Sequence, residues 1–202
     1  MSPGGTAPYA TLAAGLLTAA PRLGGTRLVC VDGPAGSGKT TLAARLAGVL
    51  GSAAVVVHMD DLYAGWTMTG AAARLAAGVL RPLAEGRNGA YHPYDWTTGR
   101  FAPAPVPVPP AAVLVVEGCG SSPRDLDPWT TLRIWVEAPP QLRLARGLAR
   151  DGAALEPEWR RWQDRESRWF ATDDTRARAQ LRVDGSASTI EAAALVAAPD
   201  RA

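Results

Sequence analysis

The segment GPAGSGKT at residues 33–40 constrains the fold more than any other part of the chain. The apolar run RLVCVD precedes it at 27–32, and TTLAARLAGVL follows from Thr40 with apolar residues at helical spacing. Strand, glycine-rich turn and helix in that order predict the first crossover of a parallel sheet. The spacing Gly33, four residues, Gly38, Lys39, Thr40 is that of a phosphate-binding loop. Glycines let backbone N–H groups close around phosphate oxygens, and the helix N-terminus adds the positive end of its dipole. The expected ligand is a nucleoside triphosphate held by Gly33, Pro34, Ala35, Gly36, Ser37, Gly38, Lys39, Thr40 and Thr41, with Thr40 also available to magnesium. Lys39 is the only lysine, against twenty arginines. A forked guanidinium cannot replace a compact ammonium inside a closed backbone loop.

The rest of the chain repeats the alternation. AVVVH at 54–58 is a second strand ending in MDDLY, and a helical pattern follows through AAARLAAGVLRPLAE. After the turn-rich NGAYHPYDWTTGR and a proline-rich loop from Pro103 to Pro110 come strands at 111–118 and 131–139. PPQLRLARGLARD predicts a helix with Leu142, Ala145 and Leu148 or Ala149 on its apolar face and Arg143, Arg146 and Arg150 on another. A further helix over about 156–170 carries Trp159, Trp162 and Trp169 as a packing stripe. A last strand is expected at 181–185 and a last helix at 190–197. Alternating short strands and helices predict a doubly wound parallel α/β sheet with helices on both faces and an arginine-rich helical lid over about 139–172. At 202 residues, 1–202 is expected to be a single domain.

Composition excludes several classes. The net charge of +2, with arginines and acids interspersed, argues against a nucleic-acid or membrane surface. Cys30 and Cys119 lack disulfide or metal-ligand spacing and are expected to be buried thiols. Tyr9–Ala20 lacks the positively charged start of a leader, and a cytoplasmic protein is the expectation. With Lys39 committed, no second lysine exists for an Asn-Lys-x-Asp guanine-recognition motif.

The second and third strands end in Asp60, Asp61 and Glu117. Ligands of doubly wound sheets gather at the carboxyl ends of strands, so these acids are candidates to hold magnesium or accept a hydroxyl proton. At these residues the chain resembles the uridine kinase group of P-loop kinases, with phosphoribulokinase and bacterial pantothenate kinase as cousins; the resemblance spans most of residues 27–185. It implies ATP and Mg2+ as cofactors and a small-molecule acceptor. Asp60, Asp61, Leu62 and Tyr63 resemble the group's Asp-x-Phe-Tyr turn, which implies Asp60 as the general base at the acceptor hydroxyl and Tyr63 as an acceptor contact. Tyr94, Asp95 and Trp96, followed by Arg100, are similar to its acceptor-binding patch, and Glu117 with Gly118 to its magnesium site. Arg143, Arg146 and Arg150 are similar to the lid arginines that close over the transferring phosphoryl group.

The expectation is therefore transfer of the ATP γ-phosphoryl to a hydroxyl of a small acceptor, first of all a uridine- or cytidine-like nucleoside. One departure bears on the acceptor. The group's nucleoside kinases carry a ribose-gripping aspartate after this turn, whereas YAGWTMTGAAARL contains no acid, and Trp66 is a candidate pocket residue instead. A pantothenate-like or sugar alcohol is the alternative acceptor, and an ATP-hydrolysing regulator the reading from another class. His58 is expected to be structural and His92 an ordinary loop residue.

Overall fold

The computed structural model describes residues 7–186 and 195–197. In chain order the main elements are α1 (Ala7–Thr18), β1 (Arg27–Asp32), α2 (Lys39–Leu50), β2 (Ala54–His58), α3 (Ala71–Leu75) and, after a π-helical turn at Ala76–Leu80, α4 (Arg81–Ala84). Then come β3 (Gly89–Tyr91), β4 (Tyr94–Asp95), β5 (Arg100–Phe101), β6 (Val106–Val108), β7 (Val113–Glu117) and β8 (Thr130–Glu137). The chain continues through α5 (Pro140–Asp151), α6 (Glu156–Asp173), α7 (Thr175–Arg178), β9 (Leu181–Asp184) and β10 (Leu195–Ala197).

The central sheet runs β10-β9-β8-β1-β7-β2. Five of its strands are parallel, and β10 pairs antiparallel with β9 through Leu195 opposite Val183. Successive side chains of a strand point to opposite faces, and here both faces are covered. Val29 and Val31 of β1, with Val113 and Val115 of β7, pack against Tyr9, Ala13 and Leu16 of α1 and Leu42 and Leu46 of α2. Leu28, Cys30, Leu114 and Val116 face the other way, toward Leu75, Val79, Leu80 and Leu83. Each such aliphatic burial contributes about 1.5–3 kcal/mol, which explains why β1, β2 and β7 read as apolar runs with polar residues only at their ends.

The expected strands and the two lid helices are present. No element is expected in Tyr9–Ala20, yet α1 overlaps it, and its buried Tyr9, Ala13 and Leu16 fall at helical spacing. The helix expected at 190–197 is corrected in part: 195–197 form β10, drawn into the sheet edge by the free side of β9, while 190–194 lie outside the described residues. The proline-rich loop also contributes β6, paired with β3, and the turn-rich patch holds the small β4–β5 ladder. The lid helix α5 does not bury the expected leucine face; its buried residues are Arg143 and Gly147. It packs on the phosphate loop and on Trp159 instead of on the sheet, so close approach decides which face is covered.

Candidate active site

The phosphate loop lies between the end of β1 and α2, wedged against β8 and α5. Gly33 has φ 137°, and a Cβ there would stand 2.1 Å from the Val136 carbonyl oxygen. At Gly36, φ 77°, a Cβ would stand 2.5 Å from the Arg143 carbonyl oxygen. Both positions require glycine for conformation and for space. Asp32, at the end of β1 and 1 % exposed, takes the N–H groups of Gly33 (2.7 Å), Gly120 (2.8 Å) and Ser122 (2.9 Å) and the Ser122 hydroxyl (3.0 Å). It thereby ties the phosphate loop to the loop after β7.

Lys39 opens α2 and is buried. Its ammonium donates to the Pro34 carbonyl at 2.9 Å and approaches the Cys119 sulfur at 3.6 Å. Burial works against its charge, but Cys119, Glu166, Glu117 and Asp32 around it prevail and raise its pKa. Burial pushes the Cys119 thiol well up, while the Lys39 ammonium beside it pulls the other way. Glu117 ends β7 directly opposite His58 of β2. One of its oxygens accepts from the Thr40 hydroxyl at 3.1 Å and meets His58 Nδ1 at 2.6 Å. The hydrogen bond to Glu117 raises the His58 pKa above its ordinary value, against partial burial. His58 therefore does more than fill space: it orients the candidate metal carboxylate. Thr40 and Glu117 are hard oxygen donors held together, which fits magnesium, an ion that takes few protein ligands and completes its shell with phosphate and water.

These residues form one end of a cavity of about 820 Å³. Asp60 and Asp61 line it from the turn after β2, with Tyr63, Trp66, Trp96, Trp159 and Trp162 as an aromatic wall and Arg146, Arg150 and Asp151 from the lid. Asp60 is open to the cavity on one side and enclosed by protein on the others. Its pKa is raised, first by that enclosure and then by the charge of Glu117, while Lys39, Arg150 and His58 pull it down. Asp61 accepts the Tyr91 hydroxyl at 2.9 Å. The wall is built around Trp66, whose ring meets those of Trp96, Trp159 and Trp162 edge-on at centroid distances of 5.8, 6.1 and 6.0 Å. Trp96 is pinned by its indole N–H to the Asp60 carbonyl at 3.2 Å. Trp159 and Trp162 are packed, as expected of a stripe, yet they also line the cavity.

The three lid arginines have separate fates. Arg143 is buried and does not face the cavity: it pairs with Glu166 of α6 at 2.6 Å and donates to the Ala138 carbonyl at 3.0 Å. Glu166, 1 % exposed, also accepts the Ala35 N–H at 2.8 Å and the Cys119 thiol at 3.4 Å. The pair thus fastens the lid to the phosphate loop. Arg146 lines the cavity and donates to the carbonyls of Gly36 (3.3 Å) and Gly185 (2.7 Å). Arg150 lines it too, gripping both oxygens of Asp151 (2.6 and 3.0 Å), which also takes the Trp159 indole N–H at 3.0 Å.

Of the expected acceptor residues, Tyr63 lines the cavity with its hydroxyl on the Cys119 carbonyl at 2.7 Å, but Tyr94, Asp95 and Arg100 do not line it. Tyr94 stacks edge-on against Trp96 and Phe101, supporting the wall from behind. Asp95 caps the turn to β5 through the N–H groups of Thr97 and Thr98, and Arg100 sits in that small ladder. The two-residue strands β4 and β5 turn this patch outward. His92 rests on the Ala102 carbonyl, as a loop residue. Sequence reasoning misses Asp32, Asp151, Cys119 and Glu166; an acid ending the strand before the loop is the one available signal, and it points to Asp32.

No protein-family model matches the chain, and no curated protein matches it by sequence. Solved structures do match in fold. A possible uridine kinase from Bacillus stearothermophilus superposes with a TM-score of 0.62 at 20% identity, over 87% of this chain and 97% of the other. A candidate fructose transport system kinase from Silicibacter sp. TM1040 gives 0.61 at 23% identity, over 82% and 94%. The chain has the fold of uridine kinase-like P-loop kinases.

Proposed function

We propose that this chain is an ATP-dependent kinase that transfers the γ-phosphoryl group to a hydroxyl of a small acceptor, a nucleoside being the first candidate. The observation that carries the reading is the meeting of a phosphate loop, a Thr40–Glu117 oxygen pair and the Asp60 carboxylate around one cavity. Lys39 and the loop amides hold the phosphate chain. Asp60 takes the proton of the acceptor hydroxyl as its oxygen bonds to the γ-phosphorus and the bond to the bridging oxygen of ADP breaks. Arg150 is the lid cation best placed to reach the transferring group, once it leaves Asp151; Arg146 steadies the loop at Gly36. Magnesium, when bound by Thr40 and Glu117, would neutralise charge on the phosphates. Catalysis would come mainly from positioning.

A sugar is the second reading. It is favoured by the aromatic wall beside carboxylates and by the fold likeness to a protein described as a fructose transport system kinase. No helix among the described residues is long and apolar enough to cross a membrane. The test is a screen of nucleosides, sugars and other small alcohols with Mg·ATP, read by the mass shift of the acceptor. A phosphorylated acceptor whose formation falls about 10²–10⁴-fold in Asp60→Asn is the expected result. ADP release at one rate with and without every acceptor would instead indicate a nucleotide-hydrolysing regulator.

A further inference from the structure

The cavity distributes its charge unevenly. Its lining cations are Lys39, Arg146 and Arg150. Each is held by protein: Lys39 by the Pro34 carbonyl, Arg146 by the carbonyls of Gly36 and Gly185, and Arg150 by both oxygens of Asp151. Arg146 of α5 touches the phosphate loop beside Lys39, and bound nucleotide would claim both; Arg150, whose charge also acts on Asp60, would turn from Asp151 to the transferring phosphoryl group. Arg143, the remaining lid arginine, is buried against Glu166.

The acceptor side is different. Asp60 and Asp61 stand there with Trp66 and Trp96. The Asp60 carboxylate has no hydrogen-bond partner among the described residues, and Asp61 offers its second oxygen after accepting from Tyr91. The Tyr63 hydroxyl is spent on the Cys119 carbonyl. A carboxylate or phosphate carried by an acceptor would meet two carboxylates and apolar indole surface that offers it no charge. A hydroxyl would meet acceptors for its proton, and an apolar ring face would meet tryptophan.

On the premise that the chain is a kinase, we infer that its acceptor site selects uncharged hydroxyl compounds with a flat or apolar face and rejects anionic ones. This removes pantothenate-like acceptors from the alternatives and limits a sugar acceptor to an unphosphorylated one. It also gives the product a reason to leave: the new phosphate ester carries charge next to Asp60 and Asp61.

Two matched pairs test the inference, each keeping a primary hydroxyl and differing by an anionic group: uridine against orotidine, and fructose against fructose 6-phosphate. Binding to the Mg·ADP form is followed by tryptophan fluorescence, since Trp66 and Trp96 line the cavity, and turnover with Mg·ATP is followed separately. At least one neutral compound should bind, with its anionic partner at least tenfold weaker. The gap should narrow in Asp61→Asn and, in the unaltered protein, with rising salt, because screening weakens like-charge repulsion. Equal or tighter binding of the anionic partner, a gap indifferent to both changes, or no binding by either neutral compound overturns the inference. A neutral compound that binds with this selectivity but is not phosphorylated supports charge selection and counts against the kinase reading alone.

Discussion

Lys39 is 7 % exposed, with its ammonium 2.9 Å from one carbonyl and the Cys119 sulfur on another side. A planar guanidinium needs more width and cannot rotate its donors onto the same oxygens. Lys39→Arg should therefore cut phosphoryl transfer at least a hundredfold while leaving the far-ultraviolet circular dichroism unchanged; near-normal turnover would contradict the steric argument. Asp60 gives a second expectation. A base works only when ionised, and the Asp60 pKa is raised by enclosure and by Glu117. The rate should rise with pH along a limb above the usual carboxylate range, and that limb should vanish in Asp60→Asn, leaving a low, flat profile. A limb retained in the variant would assign it to another group. Lys39, Asp60 and Glu117 were legible in the sequence because a motif or a strand end places them without knowledge of the rest. Cys119 and Glu166 were not, because their roles depend on segments 47 to 131 residues away, and Asp32 shows only as an acid ending a strand, its tie to Gly120 lying 88 residues on.

Between elements, the lid is held by two contacts that no periodicity announces. Gly147 lets the ring of Trp159 lie where a Cβ would be 2.4 Å away, which brings α6 against α5. Glu166 then reaches the Ala35 amide while pairing with Arg143, so the lid and the phosphate loop share one buried carboxylate. Removing one partner of such a pair leaves an uncompensated buried charge, at about 3–5 kcal/mol. Glu166→Ala should lower Tm markedly and raise the KM for ATP more than the KM for the acceptor. Glu166→Gln, which keeps an oxygen for the Ala35 N–H, should recover much of the ATP affinity. Parallel changes in both KM values would reduce Glu166 to a packing role. The parallel strands were readable because burial on both faces makes them continuous apolar runs. The Leu142 face of α5 misled because a helix covering a loop buries what the loop can accommodate, here an arginine and a glycine. The strands β4 and β5 are two residues each, too short for alternation to register, and the placement of Tyr94, Asp95 and Arg100 went with them.

Across the whole molecule, the donor and acceptor halves of the cavity differ in how they are assembled. The donor half is almost one continuous segment, from Asp32 to Thr41, and a single motif describes it. The acceptor half draws on the turn after β2, on Trp96 from the turn after β4 and on both lid helices, so its walls exist only once the chain has folded. Nucleotide binding should accordingly stabilise the assembly as a unit, because a ligand in this cavity would touch the sheet ends and the lid together. A ligand that binds only the folded form at a hundred times its Kd contributes about 2.7 kcal/mol. For a chain of this size each kcal/mol moves Tm by about 2–4 °C, so saturating Mg·ATP should raise Tm by roughly 5–10 °C. ATP with a chelator should give a smaller shift if Thr40 and Glu117 hold magnesium, and Lys39→Ala should give almost none. A shift that persists in Lys39→Ala would place the nucleotide outside the loop. A shift indifferent to magnesium would remove Thr40 and Glu117 as its ligands, and leave His58 as the partner that Glu117 serves.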